Sequence, residues 1–225
     1  TIGGTFQDEL PPLPLWTPEM PELYFKRYQE DLIPHLPALF DDLPESAIIR
    51  RRVYKLAARL AEKSFFIPLS KWHEKYDLLL CCDQAGPARR ADVHGAQRLY
   101  LDYFRTHRWY SASGSDMDGN SKVHSSMAHL HGGKRVFLES FHTSGWGGTI
   151  EETMHWLVPW LQTGVTLYSP HSVYYSTRGS WWEWAPPDTG WRQPYFEHYS
   201  VFANTISRVC SLLTEGSHIA DIAVH

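Results

Sequence analysis

The sequence predicts an α/β fold of the (β/α)8 TIM-barrel-like kind, incomplete, with about six βα units present and N-terminal units missing. Three observations carry this expectation. Short β-rich runs recur along the chain, segments of helical period separate them, and an acid or a histidine stands at the C-terminal end of nearly every run.

The runs are residues 5–10, 77–82, 109–113, 135–140, 165–169 and 221–224. After the first, Thr17 before Pro18 has the form of a helix cap followed by proline at the first helical position. Ile49, Val53, Leu56 and Leu60 then keep one apolar face, with residues 41–46 as the loop before it. Thr149 with Glu152 forms a capping box that opens a helix whose apolar side is Ile150, Met154, Leu157, Val158 and Leu161. Residues 179–194, rich in Trp, Pro and Gly, form a long loop, and Tyr195, Tyr199, Phe202, Ile206, Val209 and Leu213 line a last helix. Six strands fall short of the eight that close a barrel. Residues 1–225 are therefore expected to be one catalytic barrel domain cut from a longer multidomain chain, with an open doubly wound sheet as the alternative.

The formal net charge of -4 is spread over mixed-sign segments with no basic run longer than Arg50-Arg51-Arg52. That pattern argues against nucleic acid and anionic membranes as partners, and favours a neutral or weakly charged substrate. No apolar stretch reaches the ~20 residues that span a bilayer, so a soluble protein of open compartment is expected. Cys81, Cys82 and Cys210 lack metal spacing and read as buried thiols. Ten Trp, twelve Tyr and ten Phe suit either a large aromatic core or platforms that stack on sugar rings.

The run 135–142 ends an apolar strand on Glu139. A carboxylate there fits a general acid at a barrel rim, or else a structural partner of an arginine. The segment Phe6-Gln7-Asp8-Glu9 repeats the pattern, and Glu9 is the expected catalytic partner of Glu139, since glycosidic cleavage uses two carboxyl groups across the scissile bond. Asp8, Asp83, His142, Trp146 and His171 are expected to bind substrate from the strand ends and the turns after them. Tyr174, Tyr175, Trp182, Glu183 and Arg192 are expected to do so from the aromatic loop, with Glu183 as a reserve carboxylate. Asp116 and Asp118, two apart in a Gly-Ser-Asp-Met-Asp-Gly turn, could hold calcium or simply cap a helix. The histidines 124, 129 and 131 lack a specific zinc pattern, and no organic cofactor is expected.

Phe6 to Glu9, Leu138 to His142, Gly145-Trp146-Gly147, the run from Trp160 to His171 and Tyr174-Tyr175-Ser176 resemble, in order, glycoside hydrolase family 106. The resemblance implies an inverting, calcium-assisted α-L-rhamnosidase acting on a carbohydrate, with the family's two strand-end acids falling on Glu9 and Glu139 and its acidic site between them near Asp116 or Asp118. The chain departs from the family in reading Gln7-Asp8-Glu9 where the family usually has Asp-Ser-Tyr-Glu, and Gly114-Ser115-Asp116-Met117 where it has Gly-Glu-Phe-Trp. A retaining β-glycosidase and a non-catalytic carbohydrate-binding remnant are the competing expectations.

Overall fold

The computed structural model describes residues 2–84, 93–117, 119–141, 144–178 and 189–222, with the backbone alone for 93–96. Five strands form one parallel sheet in the order β1 (Gly4–Asp8), β2 (Leu79–Asp83), β3 (Ala112–Asp116), β4 (Phe137–Ser140) and β5 (Leu167–Pro170). Each crossover carries helix: α1 (Met20–Tyr28), α2 (Ser46–Ala61) and α3 (Ile67–Lys75) before β2, α4 (Val93–Tyr100) and α5 (Tyr103–His107) before β3, α6 (Ser121–Leu130) before β4, and α7 (Ile150–Gln162) before β5. The last helix, α8 (Tyr199–Glu215), follows β5.

The sheet curls. Phe6 on β1 and Phe137 on β4 are three strands apart, about 14 Å in a flat sheet, yet their ring centroids are 4.7 Å apart. The concave positions between them explain how: Cys81 and Ala112 share the level of Phe6, and Gly114 pairs with Phe137. A Cβ on Gly114 would stand 2.2 Å from the Phe137 carbonyl oxygen. Small residues on the middle strand let the two rings meet over it.

The convex face is covered by helices. Val136 and Leu138 pack with Leu157 and Leu161 of α7 and with Phe202 and Ile206 of α8, while Leu80 and Cys82 pack with Phe66 and Tyr110. The Thr149–Glu152 capping box forms at the start of α7. Upstream, helix begins at Met20 rather than beside Pro18, and the Met20 N–H closes a turn on the Thr17 carbonyl. Between α2 and α3 the helix continues through one π turn, Glu62–Phe66, where the Ile67 N–H reaches back to the Glu62 carbonyl. Pro68 follows, and having no N–H it could not have extended an ordinary ladder. Glu62 is buried there, paired to Arg105 and, at 2.9 Å each, to Arg108 and the Trp109 indole. Burial pushes its carboxyl pKa up, but the Trp109, Arg105 and Arg108 donors outweigh this and hold it below the ordinary value.

The barrel-like scheme of about six units is corrected by these coordinates: the described residues form a curled, open half-barrel of five parallel strands. The β-rich run at 221–224 supplies no strand among its described residues, 221 and 222. Ile219 and Ile222 are 84% and 82% exposed, and β propensity expresses itself only where a neighbouring edge and an apolar cover exist. The third strand also lies further on than 109–113. Trp109 and Tyr110 close the turn after α5 and pack into the helical layer, which leaves the strand to the small residues that the curl requires. Cys81, Cys82 and Cys210 are buried free thiols, and no helix among the described residues is long and apolar enough to cross a membrane.

Candidate functional site

The C-terminal ends of the strands gather acid. Asp8, Asp83 and Asp116 are the last residues of β1, β2 and β3, Glu139 is the last but one of β4, and His171 follows β5 directly. Because β side chains alternate, Phe6 with Asp8, and Phe137 with Glu139, point to the same concave face. The curl that brings the rings together one level below therefore brings the carboxylates together above them. Oxygens of Asp8, Asp83 and Glu139 lie within 4.8 Å of one another. Asp8 is exposed, Glu139 half-buried and Asp83 buried, so the cluster runs from the solvent into the protein.

Asp116 joins this rim through the backbone. It pairs with Glu139 in the β3–β4 register, and its N–H donates to Asp83 Oδ1 at 3.0 Å. Its own carboxylate accepts from the Met117 N–H. Glu9 is exposed, with φ of 39°, and stands outside the three-carboxylate group. The left-handed turn at Glu9 ends the alternation that delivers Asp8, while its N–H donates to the Asp83 carbonyl at 2.8 Å and pins it beside the β2 end.

Behind Asp83, on the convex side, Tyr103 and Tyr110 stack on either face of His107, with centroids at 4.1 and 5.3 Å, and Tyr100 closes the edge at 4.9 Å. Burial drives the His107 pKa down to about 3, so this wall contributes a neutral imidazole and no counter-charge to the acids in front of it. Burial likewise raises the Tyr103 phenol pKa, helped by the negative field of its neighbours, Asp83 among them.

Aromatic groups flank the β5 side. Trp146 and Tyr174 stack at 5.7 Å, and Tyr175 is fully exposed. Arg192 donates to the Tyr174 carbonyl at 2.8 Å and lies 4.5 Å over the ring of Trp191, which is 70% exposed. The Thr189 N–H donates to the Ser172 carbonyl at 2.8 Å, so the segment carrying Trp191 is tied to the one after β5. His171 donates its N–H to the Ser140 carbonyl at 2.8 Å, which fixes it between the ends of β4 and β5. Asp118, His142, Trp182 and Glu183 lie outside the described residues.

The structure thus brings together Asp8, Asp83, Asp116 and Glu139, with Glu9 adjoining through the backbone. It places Trp146, Tyr174, Tyr175 and Arg192 as a second group joined by stacking and hydrogen bonds. The sequence assigns Asp8 a substrate-binding part, and the structure adds its place in the carboxylate cluster. The signal was available in the two-residue spacing from Phe6 to Asp8. Trp191, backed by Arg192, was noticed only as part of an aromatic loop.

No family model matches the chain, and no curated protein matches it in sequence. Among solved structures it is similar to a rhamnosidase from Novosphingobium sp. PP1Y, with 19% identity over 92% of this chain and 21% of that one, at a TM-score of 0.69. At that identity the likeness shows a shared fold, and this chain spans about a fifth of the length of the enzyme it matches.

Proposed function

We propose that this chain carries the catalytic rim of a glycoside hydrolase whose substrate is a rhamnoside-like sugar linked to another unit. The observation that carries the reading is the meeting of Asp8, Asp83 and Glu139 within 4.8 Å at the strand ends, with stacked aromatics to one side. Cleavage of a glycosidic bond needs a proton for the leaving oxygen and a second carboxylate for water or for the sugar carbon. The fold shared with a rhamnosidase and the motif resemblance to family 106 support the sugar.

The spacing separates two mechanisms. Retaining hydrolysis uses carboxyl groups about 5 Å apart, and inversion needs roughly 6.5 to 9.5 Å so that water fits between sugar and base. Asp8 and Asp83 stand too near Glu139 for the second arrangement. The inverting reading therefore pairs Glu139 with Glu9, held next to the cluster by its bond to β2. Asp8 and Asp83 then orient sugar hydroxyls, and Trp146 and Tyr174 meet the apolar face of a ring. Proton NMR of the first-formed anomer decides: an inverted product supports Glu139 with Glu9, and a retained one moves the partner role to Asp8 or Asp83.

The same cluster suits a calcium ion. Two ligands of calcium, each at about 2.4 Å, are at most about 4.8 Å apart, and one oxygen from each of the three carboxylates falls within that limit. Asp8 and Asp83 would hold the ion and leave Glu139 beside it for proton transfer, while the Asp116 and Asp118 pair stays a separate expectation. Its chemistry there would be to neutralise the cluster and to take sugar hydroxyls as further oxygen ligands.

The primary test is Glu139→Gln in the full-length protein. Turnover of an activated aryl α-L-rhamnoside should fall by a factor of about 10² to 10⁴ with the fold intact by circular dichroism. Activity equal to that of the unaltered enzyme removes Glu139 from the mechanism.

A further inference from the structure

Helix α2 carries Arg50-Arg51-Arg52 and Lys55 in a stretch without acids, and folding sets part of it in a cleft. Helix α2 forms one wall and the end of α4 with α5 the other, enclosing about 690 Å³ lined by Arg50, Arg51, Tyr54, Lys55, Phe104 and Arg105, among others. Two of the cations are already satisfied, Arg50 by Asp42 at 2.9 Å and Arg105 by Glu62. Arg51 and Lys55 are exposed and have no ion-pair partner among the described residues. Four residues apart on one helix, they are neighbours of like charge, which repel. The one acid of the lining, Asp102, accepts from the Arg105 N–H as the cap of α5. Asp102 keeps its charge as a cap, so Arg51 and Lys55 leave the cleft a small positive excess in a chain of net charge -4, with the ring of Phe104, half exposed, beside it.

The place of the cleft matters as much as its sign. The helical rod from Ser46 through the π turn to Lys75 ends just before β2 begins at Leu79, so it runs antiparallel to the strands. Residues 47–55 lie toward its far end, which is the end of the sheet where the carboxylates stand. At 1.5 Å per residue, Arg51 is about 36 Å along the rod from Lys75, well beyond the roughly 17 Å of a five-residue strand. The cleft therefore opens on the outer wall at the level of the catalytic rim or above it, within reach of one extended polymer.

We propose that this cleft is a non-catalytic binding site for an anionic stretch of a glycan, one that carries carboxylate or sulfate groups. The proposal rests on the glycosidase reading for the sugar, and on Arg51, Lys55 and the cavity for the charge. The ammonium and guanidinium groups would take the anion, and Phe104 and Tyr54 would pack on the C–H face of the ring that bears it.

Calorimetry on the full-length Glu139→Gln protein, which binds without turnover, tests this with three probes: oligo-alginate for carboxylate, sulfated oligo-carrageenan for sulfate, and neutral cello-oligosaccharide. At least one anionic probe should bind about tenfold or more tightly than the neutral one, and its affinity should fall with added salt. The Arg51→Ala/Lys55→Ala double variant should lose about tenfold in that affinity, and Arg51→Lys should keep most of it; all are checked for an unchanged melting temperature. Equal binding of neutral and anionic probes, no binding of either anion, or an indifferent double variant overturns the proposal. The two readings fail separately. Charge-dependent binding by a protein that hydrolyses no glycoside keeps the cleft and sinks the hydrolase, and the reverse result sinks the cleft alone.

Discussion

Glu62 and Glu139 are the same side chain in opposite surroundings. Glu62, inside the helical layer, meets Arg105, Arg108 and the Trp109 indole, and every near neighbour of its carboxylate is a donor. Glu139, at the rim, meets Asp8 and Asp83 within 4.8 Å. A matched charge ties α5 and the turn after it to the π turn and so serves the fold. At the rim three carboxylates converge instead, an arrangement that suits the handling of a proton, a cation or a sugar.

The contrast can be broken at either end. The largest difference should come from Glu139→Gln, which is expected to abolish nearly all turnover while leaving the melting temperature nearly unchanged, because the amide keeps the shape of the side chain. Differential scanning calorimetry beside the assay reads both, and a large drop in melting temperature would mean that Glu139 is structural after all. Next comes Gly114→Ala, which drives a methyl group into the Phe137 carbonyl and should cost about 3 kcal/mol in denaturant unfolding, with activity falling alongside as β3 and β4 separate. An unperturbed stability would show that the curl does not depend on that glycine.

Glu62→Gln should behave in the opposite way to Glu139→Gln, losing about 2 kcal/mol of stability with specific activity of the folded fraction retained. The smallest effect is in pH. The folded carboxyl of Glu62 titrates below its ordinary value of 4.5, so its contribution is full above that value and is lost as pH falls through the lower, folded one. The melting temperature of the unaltered protein should therefore drop more steeply below about pH 4.5 than that of Glu62→Gln. Parallel curves would show that the carboxylate adds nothing that the amide lacks.

Much of the site was legible because it obeys local rules. Asp8, Asp83, Asp116, Glu139 and His171 stand at or just past strand ends, as the runs of β-rich residues indicated. The faces of α2, α7 and α8 followed in part from their spacing of apolar residues: Ile49, Val53, Leu157, Phe202 and Ile206 are buried, whereas Val158 and Leu213, expected on the same faces, are exposed. What was not legible was which acids meet. Alternation carries Asp8 into the cluster, and a single residue with positive φ turns Glu9 out of that series, which no periodicity announces. The cations of α2 stand in plain view as Arg50-Arg51-Arg52 and Lys55, but which of them find acids was not legible, since Asp42 and Glu30 come from segments upstream of the helix.

The sequence alone determined the alternation of strands and helices, the acids at the strand ends and the capping box of α7, because each depends on residues a few positions apart. The tertiary structure alone decided the number of strands, the start of β3 and the curl. Those depend on whether Cys81, Ala112 and Gly114 leave room for Phe6 to reach Phe137 across the sheet. Side-chain volume acting between residues 131 positions apart in the sequence sets the distance between the carboxylates, and with it what chemistry they can share.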